Sequence, residues 1–292
     1  MFDNIKKIDF SSLNKEKEVL VIEPAVVDHC NLNCAYCDHL TPLATKGFYD
    51  VKQFEKDFKY LSKVLNLNEI LSRYKIVFQI VGGEPFLHPQ LMDFLYIIAE
   101  NFDVKNISQL AIMTNCTMFK NRMDLSEKYR EFNKKYGIGG FIHSHYKPFS
   151  VSDIKRDSEN FTGHLDSFFT PEDHETFDKV NLDFNNNTFP KVCPCCALYM
   201  RDGKMCRCPI IGNAKFLLRK LNLPESLIGQ DNFITLDENL KPKDILRINN
   251  SMSSFCKYCK QRDKGQKWRL SSFDVSEWLD KDYINYIKDN NI

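Results

Sequence analysis

Four apolar runs of strand length alternate with helix-period segments along the first half of this chain. Val19-Leu20-Val21-Ile22 and Ala25-Val26-Val27 read as one strand broken by Pro24. Ile76–Val81, Leu110–Met113 and Gly140–Ser144 read as the next three. Between them, Gln53–Leu65 places Phe54, Phe58, Leu61 and Val64 on one helical side, and Leu91–Phe102 and Asp124–Tyr136 carry a similar period. Strand and helix alternating at this spacing predict an α/β fold with a parallel sheet built from βα units. In such folds the loops at the carboxyl ends of the strands form the active face. The loop at 28–38, the segment Gly82–Pro85, Thr114-Asn115 and Ser144 all follow strands, so they are expected to converge.

The first of those loops is rich in cysteine. Cys30, Cys34 and Cys37 are spaced C-x3-C-x2-C. The chain holds 11 cysteines, and apart from Cys116 they cluster at 30–37, 193–208 and 256–259. Clusters with Asn, Asp, Lys and Arg neighbours read as metal sites rather than buried apolar thiols. The N-terminus has no apolar signal core and no apolar run approaches a membrane span, so a cytoplasmic location is expected. Thiols stay reduced there, which disfavours disulfides. The formal net charge of +1 offers no basic surface for nucleic acid. Three thiolates without an obvious fourth ligand differ from a closed structural zinc site. They suit an iron–sulphur cubane with one iron open to a non-protein ligand.

Cys30, Cys34 and Cys37, with Tyr36 before the last cysteine and Gly82-Gly83-Glu84-Pro85 after the second strand, resemble the radical S-adenosylmethionine (radical SAM) superfamily. The similarity covers residues 19–146. It implies a partial (β/α)6 TIM-like barrel, with the three cysteines holding a [4Fe–4S] cluster. It further implies that S-adenosylmethionine chelates the fourth iron and is cleaved reductively to a 5′-deoxyadenosyl radical, which abstracts hydrogen from the substrate. In this resemblance Gly82, Gly83, Glu84 and Pro85 form the segment that binds the methionine amine. Tyr36 lies by the adenine, with core filling as the alternative. Thr114, Asn115 and Ser144 contact the ribose or carboxylate, or else are simple turn residues. Cys116 departs from the pattern, since many relatives have glycine there. A small buried residue and a thiol near the reaction centre are the two readings.

Past residue 190 the composition changes. Asp202-Gly203 between short strand-like runs signals a hairpin, and Ile210–Leu221 reads as a helix. The region resembles the twitch module, a shortened SPASM domain with one auxiliary [4Fe–4S] cluster. The resemblance implies Cys196, Cys208, Cys256 and Cys259 as ligands, with Cys193 the alternative to Cys196, and a structural zinc site is the competing reading. Cys206 takes the place of a tyrosine there and is a candidate hydrogen-atom donor, or a spare buried thiol. The expected organisation is an extension at 1–17, a core barrel at 18–190, an auxiliary domain at 191–270 and a C-terminal helix at 271–292.

The expected function is a radical SAM oxidoreductase or epimerase acting on a small polar molecule of sugar or aminocyclitol type. The reaction would be dehydrogenation, epimerisation or rearrangement. It would be served by an external one-electron reductant such as flavodoxin or ferredoxin, with no nucleic-acid or membrane partner. A peptide- or protein-modifying maturase is the first alternative, and a non-enzymatic electron-transfer protein the second.

Overall fold

The computed structural model describes residues 17–145, 151–162, 172–173, 176–190, 193, 197–260 and 262–290. Its strands are β1 (Glu18–Val27), β2 (Tyr74–Gly82), β3 (Ile107–Thr114), β4 (Gly139–His145), β5 (Glu172–Asp173), β6 (Thr176–Lys179), β7 (Ala197–Arg201), β8 (Lys204–Cys206), β9 (Phe233–Thr235) and β10 (Asp263–Lys267). Its α-helices are α1 (Val51–Leu65), α2 (Asn68–Leu71), α3 (Leu91–Asn101), α4 (Ser126–Tyr136), α5 (Val151–Thr162), α6 (Pro209–Lys220), α7 (Pro242–Asn250) and α8 (Lys281–Asn290). The fold is mixed α/β, with a central sheet ordered β5-β4-β3-β2-β1-β7-β8-β9. All pairings from β5 across to β7 are parallel, and those of β8 with β7 and β9 are antiparallel.

Alternation along the strands divides the core in two. Leu20, Ile22, Ile76, Phe78, Leu110 and Ile112 share one apolar cluster with Phe54, Phe58 and Phe94 of α1 and α3. Ala25, Val81 and Tyr199 belong to a second cluster on the other side, with α6, Phe255 and Trp278. Helix α1 starts where Asp50 caps the Gln53 N–H at 2.8 Å, the arrangement that satisfies an orphan donor at a helix N-terminus.

Three expectations need correction. β1 runs unbroken through Pro24: the missing N–H costs one ladder bond, and the pairings with β2 and β7 hold the strand on both sides. The hairpin at 197–206 forms at the expected turn, with positive φ at Asp202 (48°) and Gly203 (75°). It does not stand apart, because β7 pairs with β1 and extends the same sheet. The C-terminal helix begins only at Lys281. Ahead of it, the Ala35 N–H donates to the Arg269 carbonyl (3.0 Å) and the Ser271 N–H to that of Asn33 (2.8 Å), so this segment runs antiparallel to the cysteine loop. No helix among the described residues is long and apolar enough to cross a membrane.

Candidate active site

The carboxyl ends of β1, β2 and β3 meet around a cavity of about 140 Å³. Cys30, Cys34 and Cys37 line it, together with Gly82, Gly83, Thr114 and Asn115. The predicted convergence therefore holds for these residues. Each cysteine sulfur accepts a polar hydrogen. Cys30 Sγ faces the Leu32 N–H (3.4 Å) and Asn115 Nδ2 (3.5 Å), Cys34 Sγ faces Trp268 Nε1 (3.2 Å), and Cys37 Sγ faces Thr41 Oγ1 (3.5 Å). Burial pushes the Cys30 and Cys34 thiols up to about 12 and raises Cys37 as well. Forming thiolates here therefore needs a positive charge such as iron to offset the desolvation. Soft, buried sulfurs met by N–H and O–H donors fit an iron–sulphur group.

The Gly-Gly-Glu-Pro segment packs directly against the cysteine loop. A Cβ on Gly83 would lie 1.9 Å from the His29 carbonyl oxygen, and one on Gly82, at φ +136°, 2.2 Å from the Val27 oxygen. Glycine is required here by the close approach of the cysteine-loop backbone. The Gly83 N–H donates to the Val27 oxygen (2.8 Å) and the Glu84 N–H to the His29 oxygen (3.1 Å). Glu84 is fully buried, and its carboxylate accepts from the Phe86 N–H (3.0 Å), Thr114 Oγ1 (2.9 Å) and the Asn115 N–H (2.8 Å). Burial outweighs these donors and pushes the carboxyl up to about 7. Pro85 opens a buried 3-10 turn, and Phe86 packs against Phe119 and Phe161 at 5.0 and 5.4 Å. Glu84 thus bolts the β2 and β3 ends together, and Asn115 reaches from there to Cys30.

Other predicted residues fall as follows. Tyr36 is half-buried and is not among the cavity-lining residues, and the Arg269 guanidinium covers its ring at 5.1 Å. The Ser144 backbone lies near the end of β4 and pairs with Glu172 of β5, but its side chain lies outside the described residues. Cys116 has φ +66°, the left-handed region where glycine is favoured, and its side chain is buried in the core. Asp38, His39, Thr41 and Met113 also line the cavity without having been assigned. His39 and Asp38 lie beside Cys37 in sequence, which was the available signal.

Below the cavity the same sheet face turns polar. Glu23 follows Ala25's alternation, and Gln109 follows that of Met113. Both are buried, and Glu23 Oε2 and Gln109 Oε1 have no hydrogen-bond partner among the described residues. Burial, with Asp38 adding repulsion, pushes Glu23 up to about 8.

In the second cysteine region, Cys206, Cys208 and Cys256 are buried in one apolar cluster against which Cys259 packs. Cys206 donates to the Cys208 carbonyl (3.4 Å), and burial pushes it up to about 12. Cys193 is half-buried, and Cys196 lies outside the described residues. Among the described residues, no three His, Cys, Asp or Glu side chains close on one point as around a single metal ion.

No protein-family model matches the chain. An uncharacterized protein of Methanocaldococcus jannaschii is 34% identical over 114 residues, which are 39% of this chain and 35% of that protein. A GTP 3′,8-cyclase of Clostridium botulinum is 24% identical over 114 residues, 38% of this chain and 32% of the cyclase. The similarity to these proteins is confined to that stretch. The match spans about a third of the length of these curated relatives. Among solved structures, histidine-tagged anSMEcpe with bound AdoMet aligns at TM-score 0.37 and 14% identity, covering 79% of this chain and 80% of that one. Native anSMEcpe with bound AdoMet aligns at TM-score 0.36 and 11% identity, covering 93% and 97%. The cavity gathers Cys30, Cys34, Cys37, Gly82 and Gly83, residues that carry the resemblance to the radical SAM superfamily.

Proposed function

We propose that this chain is a radical SAM enzyme of oxidoreductase or epimerase type that acts on a small polar substrate. The observation that carries the reading is the cavity lined by Cys30, Cys34, Cys37, Gly82, Gly83, Thr114 and Asn115, with Glu84 locking its walls. Cys30, Cys34 and Cys37 would hold a [4Fe–4S] cluster, and the Gly82–Pro85 segment with Thr114 and Asn115 would hold S-adenosylmethionine. When bound, these groups supply one-electron cleavage of the sulphonium and a radical that takes hydrogen from the substrate. The protein's share is to shield the sulfurs, aim polar hydrogens at them and fix the strand ends. The resemblance of the region past residue 190 to a twitch module favours a small substrate bearing several hydroxyl or amino donors. Sugars and aminocyclitols have that chemistry.

In this reading the parallel strands are an arc of a partial (β/α)6 barrel. The hairpin, α6 and Cys208, Cys256 and Cys259, with Cys196 or Cys193, form a twitch-like auxiliary [4Fe–4S] site. An external flavodoxin- or ferredoxin-type protein would supply the electron.

Anaerobic reconstitution with iron and sulphide, followed by S-adenosylmethionine and dithionite, tests the proposal. About four irons are expected at the first site, and four more that are lost in Cys256→Ala/Cys259→Ala. 5′-Deoxyadenosine should form, and not in Cys30→Ala. Its absence with every polyhydroxylated or amino-sugar substrate tried, despite full iron content, would refute the reading. Zinc instead of iron lost in the double variant would reassign the second site alone.

A further inference from the structure

The donors that face the first cysteine site do not share an origin. The Leu32 N–H and Thr41 Oγ1 belong to the cysteine loop or its immediate sequel, and Asn115 to the end of β3. Trp268 comes from 234 residues beyond Cys34, after the second cysteine pair. Its half-buried Nε1 stands 3.2 Å from Cys34 Sγ. That distance is short for an N–H meeting a sulfur, and the indole can only donate.

The placement is built rather than incidental. The backbone on either side of Cys34 is paired to the segment that follows Trp268, through Ala35 N–H to Arg269 O and Ser271 N–H to Asn33 O. Trp278 Nε1 donates to the Cys37 carbonyl at 2.8 Å. Arg269 is held by the buried Glu277 at 2.6 Å, and Glu277 also accepts from Ser271 Oγ at 2.6 Å. The indole is therefore presented to the sulfur by a segment fixed at both ends.

We infer that Trp268 is a positioning residue that sets the reduction potential of the group held by Cys30, Cys34 and Cys37. The inference rests on the radical SAM reading above. Reducing an iron–sulphur cluster adds negative charge, much of it carried by the sulfurs. An N–H aimed at a ligand sulfur stabilises the reduced state more than the oxidised one and raises the potential. Because this donor belongs to the C-terminal segment, the ease of reducing the first site depends on whether that segment is docked. The pairings around Cys34 use backbone atoms, so replacing the indole leaves them in place.

The test is a potentiometric titration of the full reconstituted chain, following the electron paramagnetic resonance signal that changes when S-adenosylmethionine is added. At the wild-type midpoint, Trp268→Phe should lower the reduced-to-oxidised ratio about tenfold, equivalent to about 59 mV for one electron. Trp268→His, which keeps a ring N–H, should recover part of it. An unchanged midpoint in Trp268→Phe with undiminished iron would overturn the inference. If Trp268→Phe takes up no iron, a chain with benzothienylalanine at position 268 alone, with sulfur in place of the N–H, must show the same lowering. An unchanged midpoint there would overturn the inference too. Wild-type protein that takes up no iron at all would instead overturn the radical SAM reading, and this inference with it.

Discussion

Gly83 shows how one missing side chain can fix a site. Its Cα lies so close to the His29 carbonyl that Gly83→Ala must push β2 away from the cysteine loop. A loss of about 2–3 kcal/mol in urea unfolding is expected, together with lower iron uptake on reconstitution. Glu23 makes a different prediction. Its folded pKa of about 8 lies above that of an unfolded glutamate, so its effect on stability is most favourable below the unfolded pKa and is lost as pH rises through 8. Glu23→Gln should therefore gain on wild type from pH 5 to 8 by up to a few kcal/mol, then hold level. Thermal melts across that range would show it, and a constant difference would contradict it. Cys116 was legible in sequence only as a departure from glycine. The physical reason, a left-handed φ, needed the fold.

At the scale of elements, the join between the β2 and β3 ends is one carboxylate with three donors. In Glu84→Gln the side-chain amide must turn N–H groups toward donors, leaving at least one buried group unpaired at about 1–3 kcal/mol. Weaker S-adenosylmethionine binding by calorimetry should accompany the lower melting temperature. The hairpin is tied to the cysteine loop by Arg201, whose Nη2 meets Asp28 Oδ2 at 2.9 Å while Nη1 donates to the Ala25 carbonyl at 2.7 Å. Both side chains are nearly buried, so Arg201→Met leaves a carboxylate stranded and should cost about 3–5 kcal/mol. Asp28→Asn/Arg201→Met should recover part of that, and a double-mutant cycle on unfolding measures the coupling. The elements themselves were readable because their signals are local. Phe54, Phe58 and Leu61 mark a helical stripe, and Asp202-Gly203 marks a turn with two positive φ angles. β7 pairing with β1 has no local signal. It depends on which apolar edge is left free once β2 has taken the other side.

For the whole molecule, the sequence revealed where the first site would assemble because each contributor closes a strand of the same parallel sheet. It did not reveal the polar contacts that cross the chain. Trp268 and Arg269 fall in the stretch read as the end of the auxiliary domain and Trp278 in the stretch read as helix, and their partners are the Cys34 sulfur, the Ala35 N–H and the Cys37 carbonyl of a loop. Side-chain periodicity carries no information about such pairing. The second cysteine region shows the converse. Its clustering was plain in sequence, and the fold gathers Cys206, Cys208 and Cys256 in one buried apolar cluster with Cys259 packed against it.

The pairing of the C-terminal segment with the cysteine loop also has a consequence in time. At about 5–20 residues per second of synthesis, the 234 residues between Cys34 and Trp268 take roughly 10–50 s to follow. For that interval a nascent chain carries Cys30, Cys34 and Cys37 with one wall of their chamber not yet made. Iron delivered during elongation would meet three thiols open to water and oxygen, whereas iron delivered after release meets a finished pocket. The later-made segment around Trp268 would thus act as the door through which the earlier-made site is loaded.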